Sequence, residues 1–235
     1  MKILNKQAML VSLMAAGFVF VSTSVNADTV TFNTTSVSNP DYVSGSNGSG
    51  YGNQFVFNND GVTLTASALY AEISSASQAN LPTSDWSDAE LNAYTNGLGV
   101  NRPGSDPHTV DNYSDRIDGV KFSFSESVAF KSVDLADYND TDISVFYRQG
   151  NTWIWVEDDW VGNPATRYVN DGHIFASEWL ISASTHSWDQ DPTDKFKIGG
   201  ISVKTASVPD ESNTLMLFSV SVGLMSAMRF LKKKS

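Results

Sequence analysis

The chain has 235 residues, no cysteine, and 26 acidic against 15 basic residues, which gives a formal net charge of −11. A length of this order indicates one domain with appendages. The lack of cysteine excludes a disulfide framework, a thiolate nucleophile and cysteine-ligated zinc or iron–sulfur sites. The net acidity argues against nucleic acid as a partner, because phosphate binding needs stripes of lysine and arginine.

Residues 1–27 have the three parts of a secretory signal peptide. Lys2 and Lys6 supply a positive start, an apolar run extends from Ala8 to Val21, and small residues end the segment at Ala27. The run is too short for a typical membrane-spanning helix, so a signal peptide is favoured over an N-terminal anchor. We predict a mature chain that begins near Asp28.

Residues 28–207 form the body of the protein, and strand patterns dominate it. Apolar and polar residues alternate over Val62–Ala68, Val120–Phe124 and Ile143–Tyr147. A period of two predicts strands that bury one face. Residues Arg148–Asn151 predict a hairpin turn between two such strands. The apolar parity shifts across Gly199-Gly200, which predicts a β-bulge.

Two other segments of the body have their own signals. The capping-box spacing of Ser87–Glu90 predicts either one helical turn or the entry to a strand that ends at Val100. The glycine- and serine-rich stretch Ser44–Gly52 predicts a flexible loop. About nine short strands with polar turns predict an all-β fold, specifically an antiparallel β-sandwich of the jelly-roll type.

Acidic residues concentrate between Asp134 and Asp142. Hard oxygen ligands at close spacing suit Ca²⁺, although the spacing is not that of an EF-hand. A second acidic loop contains Asp111, Asn112 and Asp115, and the two loops could meet at one edge of the fold. The alternative is a pair of solvated turns in which Asn and Asp cap their own backbone. The candidate calcium ligands are Asp137, Asp140, Asp142 and Asp111.

Tryptophans are the candidate ligand-binding residues. Trp153 and Trp155 share one strand face, and Trp160 follows shortly after. Exposed indole rings can stack on the apolar faces of sugars. The alternative is that the pair belongs to the core, and then the opposite face, with Ile154 and Val156, is exposed or covered by a loop.

No catalytic constellation stands out in the sequence. Glu157, Asp158 and Asp159 are adjacent, but nothing marks a pair of carboxylates for glycoside hydrolysis. There is no Gly-x-Ser-x-Gly elbow, phosphate loop or dinucleotide fingerprint. We therefore predict no catalytic residues and keep a polysaccharide hydrolase or lyase as the least favoured alternative.

Residues 208–235 form a three-part tail that begins with a short polar motif. The motif is Val208, Pro209, Asp210, Glu211 and Ser212. An uncharged segment then predicts a membrane helix, with apolar residues that include Leu215, Leu217, Phe218, Leu224 and Met228. At ~1.5 Å per residue, the segment up to Leu231 reaches about 25 Å, close to the thickness of a bilayer core. The terminal lysines predict a cytoplasmic end.

This tail resembles the PEP-CTERM sorting signal of Gram-negative bacteria. Val208 and Pro209 match the family motif, whereas Asp210 replaces its glutamate and Glu211 its second proline. The resemblance implies recognition by an exosortase, a membrane protease-transpeptidase, and delivery of the body to the cell surface or exopolysaccharide matrix. The alternative is a plain C-terminal membrane anchor.

Part of the body also resembles the recurrent β-sandwich of exosortase-dependent surface proteins. The matching segments are Gly97–Val100, His108–Asn112, Arg116–Phe124 and Asp194–Val203. This resemblance implies a fold and a location but no reaction. The sequence thus predicts an exported, non-enzymatic surface or matrix protein. A carbohydrate-binding module is the main alternative.

The charge of the body bears on its partners. Removal of the six basic residues in the two terminal segments leaves nine of 15, and removal of Asp210 and Glu211 leaves 24 of 26 acidic residues. The net charge of residues 28–208 is therefore −15. A surface of this charge should repel acidic polysaccharide unless divalent cations bridge the two.

Overall fold

The computed structural model describes residues 27–35, 42–43, 54–72, 80–94, 96–101, 108–112, 116–139, 141–159, 165–169, 173–185 and 194–206. Ala27–Ala206 is a compact unit. Residues 1–26 of the predicted signal peptide, the predicted Ser44–Gly52 loop and the predicted C-terminal tail lie outside the described residues.

The described residues form fourteen strands. In chain order they are β1 (Thr29–Asn33), β2 (Tyr42–Val43), β3 (Gln54–Asn59), β4 (Val62–Glu72), β5 (Asn80–Pro82), β6 (Trp86–Tyr94), β7 (Gly97–Asn101), β8 (Val110–Asp111), β9 (Arg116–Asn139), β10 (Ile143–Gln149), β11 (Thr152–Asp159), β12 (Thr166–Tyr168), β13 (Ala176–Ala183) and β14 (Lys195–Thr205). Within the described residues, the one helical element is a 3₁₀ turn at Thr83–Asp85. The all-β prediction is confirmed, and the prediction of about nine strands was too low.

Strand β9 organises the sheet because its 24 residues change partners along their length. Its first part pairs with β4 on one side and β13 on the other. Its second part pairs with β14 and β12. The strand order is β2-β3-β4-β6-β7-β14-β9-β13-β10-β11-β5, with β1 and β8 joined to β14 and β12 joined to β9. These pairings are all antiparallel.

The period of two predicts burial correctly in β4 but not in β10. In β4, Val62, Leu64 and Ala66 are buried and the threonines between them are half-buried. In β10, both Ser144 and Phe146 are buried, although the alternation predicts an exposed face for them. Strand β10 lies between β11 and β13, and its second face is covered as well.

Two local backbone predictions are confirmed. The β9–β14 register shifts between Ile198 and Gly200, which is the expected bulge at the glycine pair. Gln149 pairs with Thr152 across the expected hairpin. Gly150 has φ +62 there, a left-handed conformation that glycine adopts without a Cβ penalty.

The helical alternative for Ser87–Glu90 is wrong. These residues lie in β6, which pairs with β4 and then with β7. Burial explains this outcome, because Trp86, Ala89 and Leu91 all belong to the core cluster. Tertiary burial overrides a local capping signal that is worth about 1 kcal/mol.

Aromatic rings fill the centre of the core. Trp179 has 0% exposure, and its ring centroid lies 5.5 Å from that of Phe130 and 6.1 Å from that of Tyr147. Its indole Nε1 donates to the carbonyls of Val128 at 3.1 Å and Ala176 at 3.2 Å. The apolar ring is therefore buried without leaving its polar atom unsatisfied.

Candidate functional site

The structure places Trp153 in the core and not at a sugar-binding surface. Its side chain is 2% exposed, and it lies opposite Leu81 of β5 and Arg148 of β10 in the strand ladders. Trp155 is half-buried and packs against the same core cluster. Trp160 lies outside the described residues. No ring face of Trp153 is available to a sugar, so the core alternative applies to it.

Both faces of this sheet are covered, which sequence periodicity did not indicate. Trp155 lies opposite Phe146, and Phe146 lies opposite Leu180. Both Phe146 and Leu180 have 0% exposure, although they share the face of Trp155. Around Gly119, Trp86 approaches Leu180: a Cβ at Gly119 would lie 2.8 Å from Leu180 Cδ1 and 3.2 Å from Trp86 Cζ3. The absence of a side chain there lets the two residues close over the sheet.

The acidic segment predicted as a calcium loop is mostly strand. Asp134 lies in β9, and its Oδ1 accepts a hydrogen bond from Thr166 Oγ1 at 2.7 Å. Asp137 also lies in β9, and its side chain is outside the described part of the structure. Asp140 is likewise not described. The chain leaves the strand before Asp142, the last of the predicted ligands.

The structure joins the two predicted acidic segments through Asp194, a residue that the sequence did not single out as a ligand. Asn112 Nδ2 donates to Asp194 Oδ2 at 3.1 Å, and the backbone N–H of Asp142 donates to Asp194 Oδ1 at 3.1 Å. Asp111 lies opposite Lys195 in the ladder, next to Asp194 in sequence. We call Asp111, Asn112, Asp142 and Asp194 the polar junction.

The polar junction is buried and well connected. Asp111 and Asp194 are each 2% exposed. Thr109 Oγ1 donates to Asp111 Oδ2 at 3.0 Å. Nearby, Thr141 Oγ1 donates to the carbonyl of Lys195, and the buried Arg167 donates through Nη2 to the carbonyl of Thr141 at 2.8 Å. The network holds together β8, β14, β12 and the segment before β10.

Calcium binding by Asp111, Asp137, Asp140 and Asp142 stays a prediction. Among the described residues, no group of three or more histidine or acidic side chains is placed to hold a metal ion. Asn112 Oδ1 is buried and accepts no hydrogen bond within the described part of the chain. Its oxygen is a hard donor of the kind calcium takes.

Asp194→Ala should lower the free energy of unfolding by about 2–4 kcal/mol, because a buried side-chain donor and a part-buried backbone donor lose their acceptor. Urea unfolding of the purified protein measures the change. Asp88→Ala is the control, since Asp88 is exposed on β6 and should change stability by less than ~0.5 kcal/mol. Equal effects of the two substitutions would show that the polar junction does not hold the strands together.

A second surface combines hydroxyls with an exposed ring. Thr31, Ser202, Ser132 and Tyr168 lie in one row across β1, β14, β9 and β12. The hydroxyls of Thr31 and Ser202 are 2.9 Å apart. Tyr168 is 69% exposed. The adjacent row on the opposite face is Phe32, Ile201, Val133 and Arg167, all buried, so the hydroxyl row lies on the outward face, although Ser132 within it is itself buried, with 6% exposure.

The next outward row continues this surface. It consists of Asn33, Gly200, Asp134 and Thr166. A Cβ at Gly200 would lie 3.2 Å from Asp134 Oδ2, so glycine leaves space for that carboxylate. We call the two outward rows the outer strip. Lys204 and Lys197 lie on the same outward side of β14, one beyond each end of Ser202 and Gly200.

The half-buried carboxylate of Glu178 is engaged in an ion pair. Glu178 Oε2 pairs with Arg148 Nη1, and its Oε1 accepts from Ser123 Oγ at 3.3 Å. His108 Nδ1 lies 3.1 Å from Asn101 Oδ1 on an exposed surface. The side chains of Glu157–Asp159 lie outside the described part of the structure.

No protein-family model and no curated protein matches the chain. Within the described residues, no helix has the length and apolar composition needed to cross a bilayer. The predicted membrane segment from Leu215 lies outside them.

Proposed function

We propose that the chain is an exported, non-enzymatic surface or exopolysaccharide-matrix protein, sorted by an exosortase through its C-terminal segment. The signal peptide would direct export, and the motif at Val208–Ser212 would be the site of exosortase recognition. The apolar segment from Leu215 would hold the precursor in the inner membrane until processing.

The main support for this proposal is where the folded unit begins and ends. Ala27–Ala206 is compact, and its two end strands are neighbours: Thr29 of β1 pairs with Lys204 of β14. The backbone N–H of Thr205 donates to the carbonyl of Asp28 at 3.0 Å. These limits lie within two residues of the boundaries that the sequence predicts for both appendages. A body with these limits would keep every strand after removal of both ends.

The pairing of β9 supports the finer fold that we propose. Its first part belongs to a run of strands from β3 to β5 through β4, β13, β10 and β11, and its second part joins β14 and β12. We infer that these two parts contribute to the two sheets of an antiparallel sandwich of the jelly-roll type. Phe122 of the first part and Phe130 of the second part are 6.3 Å apart between ring centroids, which fits one shared core.

The proposal that the protein is non-enzymatic rests on the ion pair and hydrogen bonds that its carboxylates already make. Glu178 is bound by Arg148 and Ser123, and Asp194 accepts from two segments of the chain. A general acid or base needs a carboxylate that can reach a substrate proton. Carboxylates engaged in this way stabilise the fold.

Intact mass spectrometry of the protein from the extracellular and membrane fractions tests the sorting proposal. We expect an extracellular species that begins near Asp28 and ends near Pro209. Pro209→Ala should abolish this species and leave the protein in the membrane with its tail. Ser207→Ala, adjacent to the motif, is the matched control and should be processed normally. Recovery of wild-type protein solely in the membrane, still with Leu215–Ser235, would contradict sorting and favour a plain anchor.

A further inference from the structure

The body contains four Asn-x-Ser/Thr triplets, which begin at Asn33, Asn47, Asn112 and Asn139. In secreted proteins this triplet is the acceptor for N-linked glycosylation. A three-residue match arises readily by chance, so the local structure has to decide which asparagine is usable. Transfer of a sugar needs an exposed amide nitrogen, together with a hydroxyl from the third residue that reaches the same amide.

Contacts within the fold disfavour two of the four triplets. Asn112 is 6% exposed, and its Nδ2 donates to Asp194 Oδ2 at 3.1 Å. Thr141, the third residue of the Asn139 triplet, is 1% exposed, and its Oγ1 donates to the carbonyl of Lys195 at 3.1 Å. Neither triplet presents both groups at the surface of the folded body. Asn47 lies outside the described residues.

The triplet Asn33–Thr35 has the required geometry. Asn33 is the last residue of β1, and its side chain is exposed. The backbone N–H of Thr35 donates to Asn33 Oδ1 at 2.9 Å, and Thr35 Oγ1 donates to the same oxygen at 2.7 Å. Both hydrogen bonds go to the amide oxygen and neither uses the nitrogen. The nitrogen is therefore the part of this amide that is left for chemistry.

The middle residue of this triplet fixes the arrangement to the sheet. Thr34 has 0% exposure, its N–H donates to the carbonyl of Gly199 at 3.0 Å, and its Oγ1 donates to the carbonyl of Ile198. The residues on either side of it, exposed Asn33 and half-buried Thr35, are both more open. An enzyme would thus meet a triplet that is already ordered, which lowers the entropy cost of binding it.

We propose that Asn33 is a site of N-linked glycosylation. The donor would be an oligosaccharide carried on a lipid diphosphate, and a membrane transferase would join the two. Asn33 Nδ2 attacks the anomeric carbon of the first sugar, so that a C–N bond forms and the C–O bond to the diphosphate breaks. The diphosphate leaves with the electron pair, and one Nδ2 proton goes to a base of the transferase. The inference rests on the proposed function only through export of the body.

The two hydrogen bonds from Thr35 have a direct role in this step. As Nδ2 loses its proton, negative charge develops on Asn33 Oδ1. Donors that already point at an oxygen stabilise charge that develops on it in the transition state. The hydroxyl of Thr35 is therefore needed for the transfer, whereas its methyl group is not.

Glycopeptide mass spectrometry of the protein from the cells that make it tests the proposal. Protein from all fractions is analysed, so the test does not depend on C-terminal processing. We expect Asn33 to carry the mass of an oligosaccharide and Asn33→Gln to lose it. Thr35→Val should also lose it, because valine keeps the side-chain shape and removes the hydroxyl. Thr35→Ser keeps the hydroxyl and should retain the sugar.

Controls separate the chemistry from the fold. Thr29→Val removes a hydroxyl from another exposed position on β1 and should leave the sugar in place. The urea midpoint of Thr35→Val should match that of Thr35→Ser, which would show that loss of the sugar does not come from loss of the fold.

Three outcomes would overturn the proposal. The first is an unmodified Asn33 on a chain that has lost its signal peptide. The second is a sugar that survives Asn33→Gln, because it would be attached to a neighbouring hydroxyl. The third is a sugar on Asn112 or Asn139 with Asn33 bare, because the folded structure would then not select the site. A chain that carries the sugar and still has Leu215–Ser235 would refute the sorting proposal alone, and a chain with its signal peptide and no sugar would refute both export and this inference.

Discussion

Replacing Trp153 by alanine is expected to lower the free energy of unfolding by about 3–5 kcal/mol, the cost of deleting a large buried aromatic side chain. Trp153 is 2% exposed, between Leu81 on one side and Arg148 on the other in its ladders. Strand β5 has three residues and pairs with β11 at Trp153 and its two neighbours. Loss of the indole therefore removes the packing that holds this short edge strand. Urea unfolding of the purified protein measures the change.

Two further variants test whether the effect of Trp153→Ala comes from the loss of a buried aromatic ring. Trp153→Phe should lose less, about 1–2 kcal/mol, because most of the ring volume remains. Tyr168→Ala removes an aromatic side chain that is 69% exposed and should change stability by less than ~0.5 kcal/mol. If Trp153→Ala instead left the urea midpoint unchanged, the assignment of Trp153 to the core would be wrong.

Local periodicity was sufficient to predict much of the fold. The alternation in Val62–Ala68 predicts the buried face of β4, because one face of that segment meets the core and the other does not. Gly150 and the Gly199-Gly200 pair were predicted from their own chemistry, since a left-handed φ and a bulge both favour a residue without Cβ.

Periodicity failed where both faces of a strand are buried. The sequence around Trp153 and Phe146 does not indicate that Leu81, far away in the chain, will lie beside Trp153 or that Phe146 will be fully buried. The closure around Gly119 involves Trp86 and Leu180, which are 94 positions apart in the chain. Such contacts depend on strand order, and strand order is a property of the whole chain.

The candidate sites could not be predicted from local sequence either, because they join residues that are far apart in the chain. Asp194 joins Asn112 and Asp142 across sequence separations of 82 and 52 residues, so spacing within the acidic segments could not reveal it. The row from Thr31 to Tyr168 contains ordinary surface residues of four strands, and it becomes a surface only when β14 and β9 lie side by side. In the sequence, Tyr168 is an aromatic residue between Arg167 and Val169. Its exposure follows only from the strand register, which leaves Tyr168 exposed while both neighbours are buried.

Replacing Gly97 by alanine is expected to lower the free energy of unfolding by about 3–5 kcal/mol, the combined cost of backbone strain and steric overlap. Gly97 begins β7 with φ +134, a conformation that residues with a side chain rarely adopt. A Cβ there would lie 2.3 Å from the carbonyl oxygen of Ile198 and 2.9 Å from the backbone nitrogen of Gly199. These are backbone atoms, so no side-chain rotation relieves the overlap.

The overlap at Gly97 falls where β7 meets β14. Leu98 pairs with Ile198 at this contact, and both side chains have 0% exposure. Gly61→Ala is the matched control: Gly61 has φ +79 in the β3–β4 turn, and a Cβ there would have no atom within 4 Å. The control should lose only the strain, about 1–2 kcal/mol, as measured by urea unfolding. Because the two glycines share a positive φ and differ in crowding, their difference measures how closely β7 must approach β14; equal losses would show that the approach is not required.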